Sequence, residues 1–380
     1  MLDGFNIEVW MIATLLATAA APIGVFLIWQ GNTMLADGIS HAVLPGIVLS
    51  FLIFGARGGL VTYIGALLAG FATISLTNAQ HKFRIRQDAA LAAVFPTLFS
   101  FGVILICLFA RQVDLDLDCV LFGEIAFLPL DRFTIAGYDI GSVGLITAAT
   151  MLLITTAAVT LIFKELRMYC FDPMYCGSIG YSRNLIYYLF MTILTIYCVS
   201  AFEAVGSILV IALLVVPAMC GFLLTRSLRQ CIFVAVGIGL FASTAGYITA
   251  LNLDISIAGS IGSVAGLLFF ILTIVAPRTG LLSNRFRLAR QRRHVDALLL
   301  LLHLSEHDNN QGTNKALIAT HFDWTDHRLH RIINVLTMNK WATRTENALS
   351  IAAAGRRLID KLDANALRHD RTEKEKCIMT

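Results

Sequence analysis

Nine predominantly apolar stretches, near residues 10–29, 35–54, 59–77, 91–110, 142–163, 185–201, 203–224, 231–251 and 256–276, constrain this chain more than any other feature. Each is roughly 17 to 22 residues long, enough at about 1.5 Å per helical residue to cross the hydrocarbon core of a bilayer. Lipid offers the backbone no hydrogen-bond partners, so such runs are predicted to fold as helices that satisfy their own N–H and C=O groups. Glu203 and Gly206 interrupt the sixth and seventh runs, which leaves eight to nine spans, one of that pair being a broken crossing in the smaller count. Hydrophobic residues make up 57% of the chain and charged residues 14%, with a mean hydropathy of +0.75, outside the range of a soluble domain. The fold class that follows is an all-α polytopic membrane protein of eight to nine transmembrane helices, with the charge gathered into a small soluble α+β domain at the end.

Orientation is read from the basic residues of the short loops. His81-Lys82-Phe83-Arg84-Ile85-Arg86, Lys164 with Arg167, Arg226 with Arg229, and the run from Arg278 to Arg293 all emerge on one side under the nine-span count. By the positive-inside rule that side is cytoplasmic, with the amino terminus outside and the carboxyl terminus inside. The first run follows Asp3 and Glu8 with no basic n-region, so it reads as a retained span and not as a cleavable signal. The longest opposite loop, 111–141, carries Asp114, Asp116, Asp118, Glu124, Asp131 and Asp139 against Arg111 and Arg132. It reads either as a docking surface or weak cation collector, or as a solvated loop lacking positive charge because of its side. The eight cysteines point to no disulfide framework: Cys119 alone falls in a predicted external loop, without a partner there.

Within the second run, Asp37-Gly38-Ile39-Ser40-His41 sets a carboxylate and an imidazole four residues apart. On a helix that spacing stacks both on one face, within reach of a single ligand. Ionisable groups at membrane depth mark substrate paths, ion paths or proton relays; the plainer reading is an Asp capping a helix end and a His bonded to a neighbouring helix. One carboxylate with one imidazole suits borderline divalent ions such as Mn(II), Zn(II) or Fe(II). Two ligands per subunit make a weak site, appropriate where the ion must leave again. Glu203, near the outer end of its span, is a candidate third metal ligand or gate, the alternative being an interfacial carboxylate reaching water. Pro45-Gly46 and Pro217 are positions where helical hydrogen bonding loosens, either to line a path or as packing kinks.

No G-x-x-x-x-G-K-[ST] occurs, and none of the seven lysines is followed by Ser or Thr, so the chain carries no nucleotide-cradling loop of that type. It is not expected to be an enzyme; ATP hydrolysis, if used, belongs to another chain. Between the fifth and sixth runs lies Phe171-Asp172-Pro173-Met174-Tyr175-Cys176-Gly177-Ser178-Ile179-Gly180. Asp172 followed by Pro173 reads as an N-cap with proline at the first helical position, opening a short helix that ends at Gly177 or Gly180. Such a rigid loop helix suits a lever pressed into a partner, or a simple turn between spans.

Four strings, A-D-G-I-S-H-A-V-L-P-G at 36–46, Q-D-A-A-L at 87–91, F-D-P-M-Y-C-G-S-I-G at 171–180 and V-G-S-I-L-V-I-A-L-L-V-V-P-A at 205–218, together resemble the membrane permease of ABC importers for manganese, zinc or iron. The resemblance covers about residues 10–277. It implies a permease in a bacterial cytoplasmic (inner) membrane, working with a cytoplasmic ABC ATPase and an extracytoplasmic metal-binding protein. It also implies a homodimer, or a heterodimer with a second permease, and no permanently bound cofactor, the metal being cargo. Phe171, Asp172, Pro173, Met174, Tyr175, Cys176 and Gly177 match the helix that couples to the ATPase, and Asp37 and His41 match the metal path. The chain departs from the family's usual residues at Ala36 (Gly), Gln30 and Asn32 (often basic) and Cys176 (commonly Ala).

The predicted domains are a permease at 1–277, a basic linker at 278–293, a cytoplasmic domain at 294–363 and a charged, disordered tail at 364–380. Arg285, Arg287, Arg290, Arg292 and Arg293 in the linker are placed to meet anionic lipid headgroups. The order of three helices, a ribbon through Trp341–Thr345 and Leu349–Ile351, and a last helix from Ala354 is similar to a winged helix-turn-helix. Arg328, His327, His330 and Arg331 lie on its third helix, but Asp323 and Asp326 precede them, and a regulatory or protein-contact role is favoured over DNA binding. The leading reading is the permease of an ATP-driven importer of Mn, Zn or Fe. An ion-coupled secondary metal carrier and a membrane-tethered metal-responsive regulator are the alternatives.

Overall fold

The computed structural model describes the chain except for residues 1, 56–59, 82–84, 110–124, 126–127, 136–137, 278–279, 307–312, 315–317, 319–321, 323, 345–347 and 362–380. It divides into two compact units, Met1–Leu281 and Leu282–Thr380. Within the first, nine helices among the described residues are long and apolar enough to cross a membrane. They are α1 (Leu2–Gln30), α2 (Met34–Phe54), α3 (Leu60–His81), α4 (Gln87–Phe109), α5 (Val143–Leu161), α8 (Arg183–Val205), α9 (Ser207–Leu224), α10 (Leu228–Leu253) and α11 (Ile257–Val275). Between α5 and α8 stand two short helices, α6 (Phe163–Phe171) and α7 (Pro173–Ser178). Serines open four of the spans: Ser142, Ser182, Ser227 and Ser256 each accept a backbone N–H three residues on, satisfying a donor the helix cannot.

Directions of the helices follow from their contacts. The Tyr197 hydroxyl donates to the Leu16 carbonyl at 3.0 Å and Phe26 meets Phe190 edge-on, so α8 runs antiparallel to α1. Gly24 lies against Leu214 and Ala218, and Trp29 against Phe222, so α9 runs parallel to α1. The chain therefore reverses between α8 and α9 at one residue, Gly206, whose φ of 82° and ψ of 161° belong to glycine. Both members of this pair are full helices, so neither is a broken crossing, and the helices of membrane-spanning length among the described residues number nine. Close approach elsewhere rests on small residues: Gly46 and Gly65 bring α2 and α3 together, and Gly246 lets α10 meet Ile261 of α11.

Two groups of helices result. α1 packs on α5, α9 and α10, while α2 packs on α3 and α4; α8 touches α2, α3, α5 and α9 and so joins the groups. In the described part of the segment between α4 and α5, β1 (Arg132–Ile135) pairs antiparallel with β2 (Tyr138–Ser142), where the sequence predicts a loop. Arg132 ties it to Glu8 of α1 at 3.6 Å. Asp114, Asp116, Asp118, Cys119 and Glu124 lie outside the described residues.

The second unit begins with α12 (Leu281–Glu306), one helix through the stretch read as linker and first domain helix. β3 (Thr313–Asn314), α13 (Asp326–Met338), β4 (Ala342–Arg344), β5 (Ala348–Ile351) and a helix over 353–361, α14, follow. The strands order β3-β5-β4, both pairings antiparallel. Leu300, Leu301 and Leu304 of α12 share a core with Ile332, Ile333 and Leu336 of α13 and Leu349 of β5. Arg328 donates to both Asp296 carboxylate oxygens at 2.8–3.0 Å and lies over the Trp324 ring at 5.3 Å. His330 Nδ1 and Arg331 Nε meet the carbonyls of Asp326 and His327.

Candidate metal path and lever

Asp37 and His41 come together one turn apart on α2, with His41 Nε2 3.3 Å from Asp37 Oδ1, and their side chains remain 38% and 30% exposed. α4 shapes the wall they face. His41 stacks on Phe95 at 5.8 Å and meets the edge of Phe99 at 5.9 Å, two residues that share the i,i+4 spacing of the Asp-His pair. The aromatic surfaces fix the ring's plane while leaving its partner oxygen open to a ligand. α2 can approach α4 this closely because Gly38, between the two polar residues, lies directly on Leu91, and Gly102 of α4 lies on Pro45.

Depth follows from α3 and α8. A Cβ on Gly70 would fall 2.6 Å from Thr195 Cγ2 and 3.3 Å from Ile39 Cγ2, so Ile39, between the pair, is level with both. At 1.5 Å per residue, Gly70 stands about 16 Å from either end of α3, and Thr195 about 15–18 Å from either end of α8. The Asp-His pair thus stands level with the middle of α3 and α8, while on its own helix Asp37 lies in the first turn of α2, and Leu91, the residue of α4 that meets Gly38 beside it, is the fifth of that helix. Three residues, 31–33, join α1 to α2, so Asp37 follows the end of α1 by only seven residues.

Glu203 is not brought to them. It is exposed, eight residues beyond Thr195 on α8, about 12 Å farther along the axis. Among the described residues no group of three or more His, Cys, Asp or Glu side chains is arranged to hold a metal. The pair offers one oxygen and one nitrogen donor, and an ion there would complete its sphere with water or with groups from outside the chain.

At the end of the bundle where α5 meets α8, Asp172 caps α7: its Oδ1 accepts the N–H groups of Met174 at 2.9 Å and Tyr175 at 3.0 Å, with Pro173 at the first helical position. Cys176 turns inward and is fully buried, while Phe171, Met174, Tyr175 and Ile179 are exposed, an apolar surface on a short rigid helix. Gly177 lies beside the Arg183 side chain, whose Nη1 reaches Met174 Sδ at 3.1 Å. Phe171 packs on Trp29 at 5.1 Å, so α7 is tied to the last turn of α1 and, across residues 31–33, to the start of α2. Sequence reasoning found both Asp37-His41 and α7; it missed Phe95, Phe99 and the Trp29–Phe171 contact, which join segments far apart in the chain.

Residues 3–276 match the family model of the ABC 3 transport family. The chain is 35% identical to the manganese transport system membrane protein MntD of Bacillus subtilis, over 74% of this chain and 96% of that protein. It is 32% identical to the zinc transport system membrane protein TroD of Treponema pallidum over 92% of this chain and 96% of that one, a match that must include most of the second unit. Among solved structures it resembles PsaBC from Streptococcus pneumoniae in complex with Fab, with a TM-score of 0.58 and 27% identity over 73% of this chain and 98% of that chain.

Proposed function

Because the chain belongs to the ABC 3 transport family, we propose that it is the permease subunit of an ATP-driven importer that passes manganese or zinc inward by way of Asp37 and His41. The observation that carries this reading is the Asp-His pair held on one face of α2 against an aromatic wall. One carboxylate and one imidazole accept Mn(II), Zn(II) and Fe(II) alike, and two ligands hold any of them weakly enough to let go. Glu203, at the far end of α8, serves in this reading as an entry carboxylate and not as a member of the Asp-His site.

The amino terminus is outside and the carboxyl terminus cytoplasmic, as the basic loops require. Cargo arrives from an extracytoplasmic binding protein, and two permease copies, or this chain and a second permease, enclose the path. The exposed face of α7 docks on a cytoplasmic ATPase. Displacement of α7 moves Phe171 against Trp29, and the short 31–33 connection carries that motion to Asp37. The second unit, whose helix and strand order is similar to a winged helix-turn-helix, acts through protein contacts. Arg328, one of the basic residues of its third helix, is already held by Asp296 and Trp324.

Metal uptake by the complex in liposomes, with its ATPase and binding protein, tests the reading. Asp37→Ala and His41→Ala should each abolish uptake while assembly and ATP hydrolysis persist. Normal uptake in both variants would sink it.

A further inference from the structure

Between the pair and α7 lies a polar cavity of about 440 Å³. Its walls include Gln30 and Asn32 at the α1–α2 connection, Asn78 of α3, Gln87 of α4 and Asn184 and Tyr187 of α8. Asn78 and Tyr187 each stand eight residues from Gly70 and Thr195, which share the level of Ile39. Both helices therefore put Asn78 and Tyr187 about 12 Å from the level of Ile39 towards α7, while Asn32 and Gln87 bring the near side of the cavity closer to the pair. Gln87 precedes Leu91 by one turn, and Leu91 packs on Gly38 beside Asp37.

Its chemistry is unusual for this depth. Among the described residues the lining has no carboxylate and no imidazole, and the charged group there, Arg183, is turned towards Met174 of α7. Gln30 Nε2 and Oε1 and Trp29 Nε1 are buried with only thiols for partners, Cys170 beside Gln30 and Cys231 beside Trp29. A thiol is a weak partner at best. Buried amide and indole groups in a roomy polar chamber are satisfied by water or by a hydrated ligand. At about 30 Å³ of liquid per water, the chamber accommodates an ion with a six-water shell.

We propose that this cavity is the exit vestibule of the path, a chamber of neutral amides and phenols where a divalent cation released by Asp37 and His41 regains its water shell without being chelated again. Tyr169, Cys170 and Pro173, from α6 and α7, form part of its wall, so motion of α7 reshapes the chamber directly. The inference rests on the transport reading above and adds to it a second station with the opposite design: the first binds, and the second deliberately does not.

Two carboxylates placed in the chamber beside its amide oxygens should convert it into a trap. In the assembled complex in liposomes, with Mn(II) as the probe, Gln30→Glu/Asn78→Asp should retain one additional ion per permease in equilibrium dialysis and lower ATP-driven uptake at least tenfold. The additional ion should persist when Asp37→Ala is added, which removes the upper station. Gln87→Glu/Asn184→Asp carries the same test should the first pair fail to assemble. Carboxylate variants that bind no extra ion and transport like the parent would overturn the vestibule. Should Asp37→Ala itself transport normally, the path reading fails instead, so the two failures are distinguishable.

Discussion

Gly38 and Leu91 meet so closely across the α2–α4 contact that a Cβ on the glycine would lie 2.6 Å from Leu91 Cδ1. The single hydrogen at Gly38 is what seats Asp37 and His41 against Phe95 and Phe99. Gly38→Ala forces the leucine to repack at about 1–3 kcal/mol. Uptake should fall several-fold, and Leu91→Ala should restore part of it. Liposome uptake of the two single variants and the double variant measures the coupling; additive losses would show that the contact does not position the site.

Asp172 satisfies two backbone donors at the start of α7. Asp172→Ala should weaken that cap by about 1 kcal/mol. In the transport reading, the ATPase then copurifies less well and hydrolysis no longer tracks uptake, whereas Asp172→Asn keeps an accepting oxygen and most of the coupling. Copurification and the ratio of ATP hydrolysed to metal moved distinguish the variants.

Gly206 turns the chain between α8 and α9 in a region of backbone space that is essentially reserved for glycine. Gly206→Ala should destabilise the permease by about 1–3 kcal/mol without touching any side chain of the path. A lower melting temperature in detergent, with metal specificity unchanged, is the expected result.

Burial pushes the Cys170 thiol up to about 12. The neutral thiol is the form the fold favours, so thiolate is scarce at neutral pH and grows tenfold per pH unit well past the point where a solvated thiol saturates. With Cys170 as the sole cysteine, maleimide alkylation should still be rising log-linearly at pH 9.5. A plateau near pH 9 would show that water reaches the sulfur freely.

In the second unit Asp296 is 13% exposed and held bidentately by Arg328. Arg328→Ala leaves a largely buried carboxylate without its cation and should loosen this unit by about 1–2 kcal/mol, between the exposed and buried limits for ion pairs. Adding Asp296→Asn should recover part of the loss. Limited proteolysis of the full chain, read at sites after residue 282, reports the difference.

Much of this architecture was legible locally. Apolar runs of bilayer length specify helices because lipid leaves the backbone no alternative. The Asp172-Pro173 step specified a helix start, and the four-residue step from Asp37 to His41 specified a shared face, because capping and helical periodicity act within one turn. The tertiary structure alone decided that Gly206 joins two full antiparallel spans. It also set Phe95, Phe99 and Leu91 opposite the pair, and kept Glu203 about 12 Å away from it. The contacts around the pair depend on where glycines allow separate helices to touch, a relation between segments far apart in the chain that no local pattern encodes.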